Sequence, residues 1–452
     1  MTERRRTISL NFNLSGVGHH TSAWRHPDSR TERALDLDYY VQLARTAEAG
    51  GFDSIFIADT PALRADPNDA LANTPFEPIT LLAALAASTT RIGIIPTIST
   101  SYSDPYTAAR QIASLDLLSK GRAGVNLVTS AGDAVARNHS RSHHIQHAAR
   151  YARAREFAEV LELLWTSWSP DAVLADREDG VMIRPGGVRP IDYEGEFFQV
   201  AGPLNVPRSP QGRPVVVQAG ASPAGIALAA EHADAVYARS MSIDETRGVY
   251  GALKAGASAR GRDPESIKVL PGVVPYVAAT EKEARELVRE IESRLVHNPA
   301  ELRVLGTMLG VDLSGYEPQD KVPLHLLPAP EEFNGSVTGF VELRTMAAEE
   351  GLTLGELAGR LGGIAPLGMW ALIGSGTQVA DRLQHWFENG AADGFNLMMP
   401  IAPGGVEAFV EHVVPVLRER GLVREEYTST TLRGHLGIPL EERESARLEG
   451  TP

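Results

Sequence analysis

Short apolar runs alternate along this chain with stretches of helical periodicity, and that alternation limits its fold more than any other feature. The runs fall at Ile8–Leu14, Ser54–Ala58, Ile92–Thr97, Gly121–Ser130, Pro214–Ala219, Ala235–Ala238, Ile267–Val277 and Gly394–Met399. Eight strands, each followed by a helix, predict an α/β chain folded as a (β/α)8 TIM barrel. A doubly wound open sheet would alternate in the same way. No Gly-x-Gly-x-x-Gly follows the first run, which weakens that alternative.

The helices read from apolar spacing. Leu37, Tyr40, Val41, Ala44 and Ala47 share one face, and Gly50-Gly51 ends that helix. Helices follow over about 79–88 and from Pro105 to Leu118, where proline suits a first turn. Phe157, Val160, Leu161, Leu164, Trp165 and Trp168 form the cleanest stripe. Helices are also expected over Ser222–His232 and Val406–Arg418. Residues 169–210, rich in Gly, Pro and Asp, read as an insertion with a short hairpin near Tyr193–Val200. A larger, mostly helical insertion is expected over about 281–392, between the seventh and eighth strands. The expectation is one barrel domain over 1–440 and a loose, charged tail over 441–452.

Net charge is −14 and no basic stripe is visible, so nucleic acid and anionic membrane are poor partners. The apolar runs fall short of the ~20 residues that a membrane span needs. Arg4-Arg5-Arg6 could open a twin-arginine signal, but no apolar stretch of signal length follows, and Ile8–Phe12 reads as a strand instead. The chain has no cysteine, which removes disulfides, thiolate metal sites and cysteine nucleophiles. A cytoplasmic protein is expected.

Polar residues stand at or just beyond strand ends: Asp59, Thr97, Ser130 and Ser222. In a barrel such positions gather on one face, although each alone suits a helix cap. Gln218 to Gly225 is the best anion-binding candidate, because a helix starting near Ser222 offers free N–H groups and Gly220 lets an anion approach the backbone. An ordinary Ser-Pro helix start is the plainer reading of the same residues, and barrel phosphate sites usually follow strands seven and eight, not five. His147 and Tyr151 are four apart and share a helix face. His139, His143, His144 and His147 suggest a metal site, but no carboxylate stands at supporting spacing, so no metal is expected. His19-His20 follow the first strand and would reach the same rim; His20 is a candidate for the substrate pocket, and a surface pair is the plainer reading.

Several ordered segments carry a family resemblance: Gly18-His19-His20 with Ala23-Trp24-Arg25, Phe52 to Asp59, Gly121 to Ser130, Gly202 to Arg208, Gln218 to Gly225, and Ala391 to Asn396. Together they resemble the nitrilotriacetate monooxygenase-like branch of the bacterial luciferase-like flavin monooxygenases, over nearly the whole chain. The resemblance implies a barrel that binds reduced FMN (FMNH2) delivered by a separate flavin reductase, and that uses dioxygen to oxidise a small-molecule substrate. It also implies a homo-oligomer. The family's flavin positions fall on Asp59, Thr97, His147, Tyr151 and Ser222. His147, Tyr151 and Ser222 suit the phosphate and ribityl end; Asp59 and Thr97 suit the end near the ring.

Two departures stand out. The family usually has Trp where this chain has Val125, and Phe-Gly where it has His139-Ser140. Val125 either faces the lumen, widening the substrate pocket, or packs against a helix. Two other functions compete with the monooxygenase: a deazaflavin-dependent dehydrogenase on the same barrel, and a flavin-binding protein without activity. A barrel alone does not decide between them.

Overall fold

The computed structural model describes residues 6–63, 75–130, 132–220, 222–239, 242–294, 299–330, 332–333, 337–362 and 369–438. The tail expected over 441–452 lies outside the described residues. Thirteen strands are assigned among those described: β1 (Ser9–Asn13), β2 (Ser54–Ile57), β3 (Gly93–Ser99), β4 (Gly124–Val128), β5 (Val173–Asp176), β6 (Val181–Ile183), β7 (Tyr193–Glu194), β8 (Gln199–Val200), β9 (Val215–Ala219), β10 (Ala235–Ala238), β11 (Lys268–Ala278), β12 (Trp370–Ser375) and β13 (Gly394–Met398). Eight pair in parallel in the ring β1-β2-β3-β4-β9-β10-β11-β13, which returns to β1. The ring is closed, so the open-sheet alternative is excluded. All eight runs read from the sequence are its strands.

Strand alternation sorts side chains into two layers. Phe56, Ile95, Val215, Val217, Ala235, Tyr237 and Leu270 face the lumen and form one apolar cluster. Leu10, Phe12, Ile55, Ile57, Ile94, Phe395 and Leu397 face outward and pack beneath the helices. The helix over 37–49, α1, buries Tyr39, Tyr40, Leu43, Ala44 and Ala47, and Asp36 caps it by accepting from Asp38 N at 2.9 Å. Next come α2 (Pro78–Ser88) and α3 (Pro105–Leu118), each with proline in its first turn and a carboxylate cap, Glu77 and Asp104 respectively. A short α4 (Asp133–Asn138) precedes α5 (His147–Trp165), whose buried stripe is Phe157, Val160, Leu161, Leu164 and Trp165. Trp168 lies beyond its end, where Nε1 donates to Leu204 O at 2.7 Å and ties down the insertion. That insertion carries two hairpins, β5–β6 and β7–β8, of which only the second was expected.

After β9 come α6 (Pro223–His232), α7 (Ile243–Ala259) and, past β11, α8 (Glu281–Glu292). The large insertion holds α9 (Pro299–Leu309), α10 (Val337–Glu350) and α11 (Leu354–Gly362), which share a separate core around Leu305, Leu309, Phe340 and Leu357. It also holds β12, a ninth strand that sequence reading missed. Val273 of β11 pairs with Trp370 and with Leu397, so β12 takes up the edge of β11 that β10 leaves free after Pro271. The helix expected over Val406–Arg418 is broken into α13 (Gly404–Ala408), a π turn (Phe409–Val413) and α14 (Val414–Glu419), preceded by α12 (Gly376–Glu388). Pro415 has no N–H for the α ladder, and the widened turn instead bonds Val414 N to Phe409 O.

A last helix, α15 (Leu432–His435), plugs the lumen from below. Leu432, Leu436 and Ile438 join the lumen cluster. Arg433 locks the plug, donating to Asp234 Oδ1 at 3.2 Å and Oδ2 at 3.0 Å. The polar strand ends therefore stand at the other, open face, where barrel loops gather functional groups.

Candidate functional site

The helix start after β9 forms as the sequence suggests. Ser222 caps α6, its Oγ accepting from Gly225 N at 3.1 Å, and Pro223 pre-sets the first turn. The Ser222 hydroxyl keeps its own hydrogen to donate. Tyr151, in the second turn of α5, brings its hydroxyl to 3.3 Å from Ser222 Oγ. His147 begins α5, and its ring centroid lies 4.9 Å from that of Tyr151. Burial and the neighbouring Arg150 lower the pKa of His147 from its ordinary value. Gly220 has φ +145; a Cβ there would stand 3.2 Å from Gln218 Nε2 and 4.0 Å from Tyr151 Oη. The backbone is bare where the hydroxyls converge. Three of the predicted residues are thus brought together, around a helix N-terminus suited to a phosphate.

Thr97 lies on the lumen side of β3, in line with Ile95. Its Oγ1 donates to Ile57 O at 2.8 Å and accepts from Asn126 Nδ2 at 3.0 Å. With its one proton committed, Thr97 can only accept from a ligand. Asp59 stands exposed two residues past β2. Desolvation raises its carboxyl above the usual range; Glu77 adds to this, and the Thr60 N–H opposes it. Among the described residues no bond joins Asp59 to Thr97. Ser130 holds φ +54 and bonds Ser99 Oγ at 2.6 Å.

His20 is buried, 2% exposed, and burial pushes its imidazole down to about 4. Its Nδ1 lies 2.9 Å from Ser22 Oγ, which donates to Ile291 O at 2.7 Å, and its Nε2 has no partner among the described residues. It is therefore not a surface histidine. Of the two placements open for Val125, the structure has the one against the helices. The residue is fully buried, in one cluster with Ala109, Ile112, Phe157 and Leu161 between strand and helices, while Gly124 and Asn126 take the lumen side.

The histidines after β4 go to separate partners. His143 Nδ1 lies 3.2 Å from Asp133 Oδ2, His144 bonds Tyr102 and Arg150, and the His139 ring packs 4.7 Å from the Tyr102 ring. Among the described residues no three His, Asp or Glu side chains stand together as metal ligands. Sequence reading missed Asn126 and Arg150. An Asn inside an apolar strand was a readable signal for the first. Arg150, three after His147, drew no reading from the sequence, and it is 2% exposed.

The profile of the luciferase-like monooxygenase family matches residues 17–393. The chain is 42% identical over 441 residues to N-acetyl-S-(2-succino)cysteine monooxygenase of Bacillus subtilis, covering 97% of this chain and 98% of that one. It is 41% identical over 439 residues to nitrilotriacetate monooxygenase component A of Aminobacter aminovorans, covering 94% and 95%. The fold superposes on riboflavin lyase, solved with modified FMN and riboflavin, with a TM-score of 0.83 and 32% identity over 96% of each chain.

Proposed function

This chain belongs to the luciferase-like monooxygenase family, and from that premise we propose an FMN-dependent enzyme that takes reduced flavin from a separate reductase and uses dioxygen to oxidise a small organic substrate. The observation that carries the reading is the convergence of the Tyr151 and Ser222 hydroxyls on bare Gly220 at the start of α6. Those two hydroxyls, the first-turn N–H groups of α6 and His147 would hold the phosphate. Thr97 would accept an N–H of the ring, held in place by Asn126, and Asp59 would stand at the rim above it. Reduced FMN supplies the electrons that activate dioxygen. The protein's own part is to bind and orient: the lumen below Thr97 is filled by Phe56, Ile95 and Tyr237 and closed by α15, which shuts out water from that side. Three relatives at 42%, 41% and 39% identity are monooxygenases, which does not favour the deazaflavin-dependent dehydrogenase. Among the described residues no helix is long and apolar enough to cross a membrane.

The test supplies FMN, NADH and an unrelated flavin reductase to the purified chain, with a panel of amines, thioethers and sulfones. Oxygen uptake coupled to an oxidised product is expected only when the reductase is present. Rapid NADH turnover by the chain alone, or tighter binding of a deazaflavin than of FMN, would overturn the reading.

A further inference from the structure

The open face of the barrel has a positive side, in a chain of net charge −14. Between Asp133 and Glu156 there is no other carboxylate, while Arg137, Arg141, Arg150, Arg153 and Arg155 fall in that stretch. Arg155 pairs with Glu231 at 3.0 Å. The other four arginines make no ion pair among the described residues. Asp133 goes to the His143 ring and to the His144 N–H, and Asp104 and Glu156 act on Arg153 only from a distance. A guanidinium does not lose its proton in a protein, so these charges are permanent.

Hydrogen bonds to backbone oxygens fix this stretch to the open face. Asn138 Nδ2 donates to Pro61 O at 3.0 Å, beyond the end of β2. Arg153 Nε donates to Thr100 O at 3.1 Å, just past β3, and the guanidinium lies 4.2 Å from the centroid of the Phe198 ring. Arg150 Nη1 donates to Ser130 O at 2.9 Å, past β4. All three acceptors follow the C-terminal ends of strands, so the stretch rims the mouth of the barrel from β2 to β4. It then runs into His147 at the start of α5, one turn before Tyr151 meets Ser222. Arg137 and Arg141 are exposed, and neither bonds Tyr151 or Ser222. Arg141 lies near enough to Tyr102 and Arg153 for its charge to act on both.

We propose that this arginine rim steers the phosphate of free FMN toward the start of α6, so that the site captures an anionic flavin from dilute solution. The inference rests on the flavin reading of that site. A phosphate ester carries about two negative charges at pH 7, and a strongly acidic chain repels it over most of its surface. An approach over the β2–β4 side of the mouth meets attraction instead, and low-dielectric walls focus that field. Tyr151 and Ser222 act on contact, and so set how long the phosphate stays. The exposed arginines act before contact, and so set how often it arrives. The two roles separate in the kinetics of binding.

Stopped-flow fluorescence on the flavin-free protein tests this, with FMN and with riboflavin, which lacks the phosphate. The association rate of FMN should fall as salt rises, and that of riboflavin should not. One charge acting on a dianion through water at about 10 Å changes the rate about threefold at an ionic strength of about 10 mM. Arg137→Gln and Arg141→Gln should each slow FMN association by about that factor, and the double variant by about tenfold. Dissociation should stay within about twofold in all three, and the differences should vanish at about 1 M salt, where screening reaches only about 3 Å. Tyr151→Phe should do the reverse, speeding dissociation and leaving association and its salt dependence in place. Three results would overturn the steering: FMN association indifferent to salt, the same salt dependence with riboflavin, or arginine variants that speed dissociation and leave association unchanged. The last would make the arginines direct phosphate ligands. If FMN does not bind the wild type at all, the flavin reading falls and the steering with it, a result distinct from binding that ignores salt.

Discussion

Tyr151 Oη and Ser222 Oγ stand 3.3 Å apart across the gap between two helices that follow different barrel strands. A phosphate oxygen placed there would take a hydrogen from each. Tyr151→Phe removes one such bond to a charged group, worth about 1.5–3 kcal/mol, and should weaken FMN binding roughly ten- to a hundredfold. Ser222→Ala should weaken FMN similarly, and it also strips the cap of α6, costing about 1 kcal/mol of stability. Fluorescence titration with FMN, alongside melting curves, separates the two effects. Unchanged affinity in both variants would place the phosphate elsewhere.

Val125 is packed between β4 and α5 with no exposed surface. Restoring the family's indole there adds a large ring to a filled layer. Val125→Trp should cost about 1–3 kcal/mol of stability by overpacking. Substrate preference should not change, because the lumen does not meet this side chain. Denaturant unfolding and product profiles on one preparation check this. A narrowed substrate range at unchanged stability would return Val125 to the pocket.

The ring of eight strands was legible because each strand is buried on both sides and reads as an apolar run between helices. The cap at Ser222 and the helix face shared by His147 and Tyr151 were legible because they are local patterns. What stayed hidden depends on distant partners. Trp370–Ser375 is six residues inside a long helical insertion, and only its pairing with β11 marks it as a strand. Val125 could not be assigned to a face until Asn126 was seen to bond Thr97 of the neighbouring strand on the lumen side. Tyr102 meets His144 across 42 positions of chain that hold α3, β4 and α4, a contact no local pattern encodes. The plug by α15 is a four-residue helix whose meaning lies in the glycines it meets.

His435 carries a pH prediction. Burial, then the nearby Arg424, pushes its imidazole down to about 4, and its neutral ring bonds Arg91 O at 2.7 Å. Its folded value lies below the unfolded value of about 6.5, so the unfolded state binds the proton first. The stabilising contribution is full above about 6.5 and is lost as pH falls toward 4, at most about 3 kcal/mol. Asp116, raised to about 6 by burial, works with the opposite sign, but wild type and variant share it. His435→Gln should therefore flatten the loss of stability between pH 6.5 and 4 relative to wild type. Parallel pH profiles of the two proteins would count against this origin.

Leu432 occupies space that Gly93, the first residue of β3, leaves bare. A Cβ on Gly93 would stand 2.5 Å from Leu432 Cδ1 and 3.0 Å from Asp53 O. Gly93→Ala should therefore push the plug out of register, at an overpacking cost of about 1–3 kcal/mol. Leu432→Ala should cost about 2–5 kcal/mol by emptying a buried site. The two changes share one space, so the double variant should lose less than the sum, by roughly 0.5–3 kcal/mol in a double-mutant cycle. The backbone oxygen of Asp53 cannot retreat as a leucine tip can, so relief is partial. The plug closes the face opposite Tyr151 and Ser222, and FMN affinity should hold in all three variants while they remain folded. Urea unfolding with FMN titration reads both quantities. Strictly additive costs would show that Leu432 does not fill the Gly93 space in solution, and a fall in FMN affinity in the single variants would tie the two faces of the barrel together.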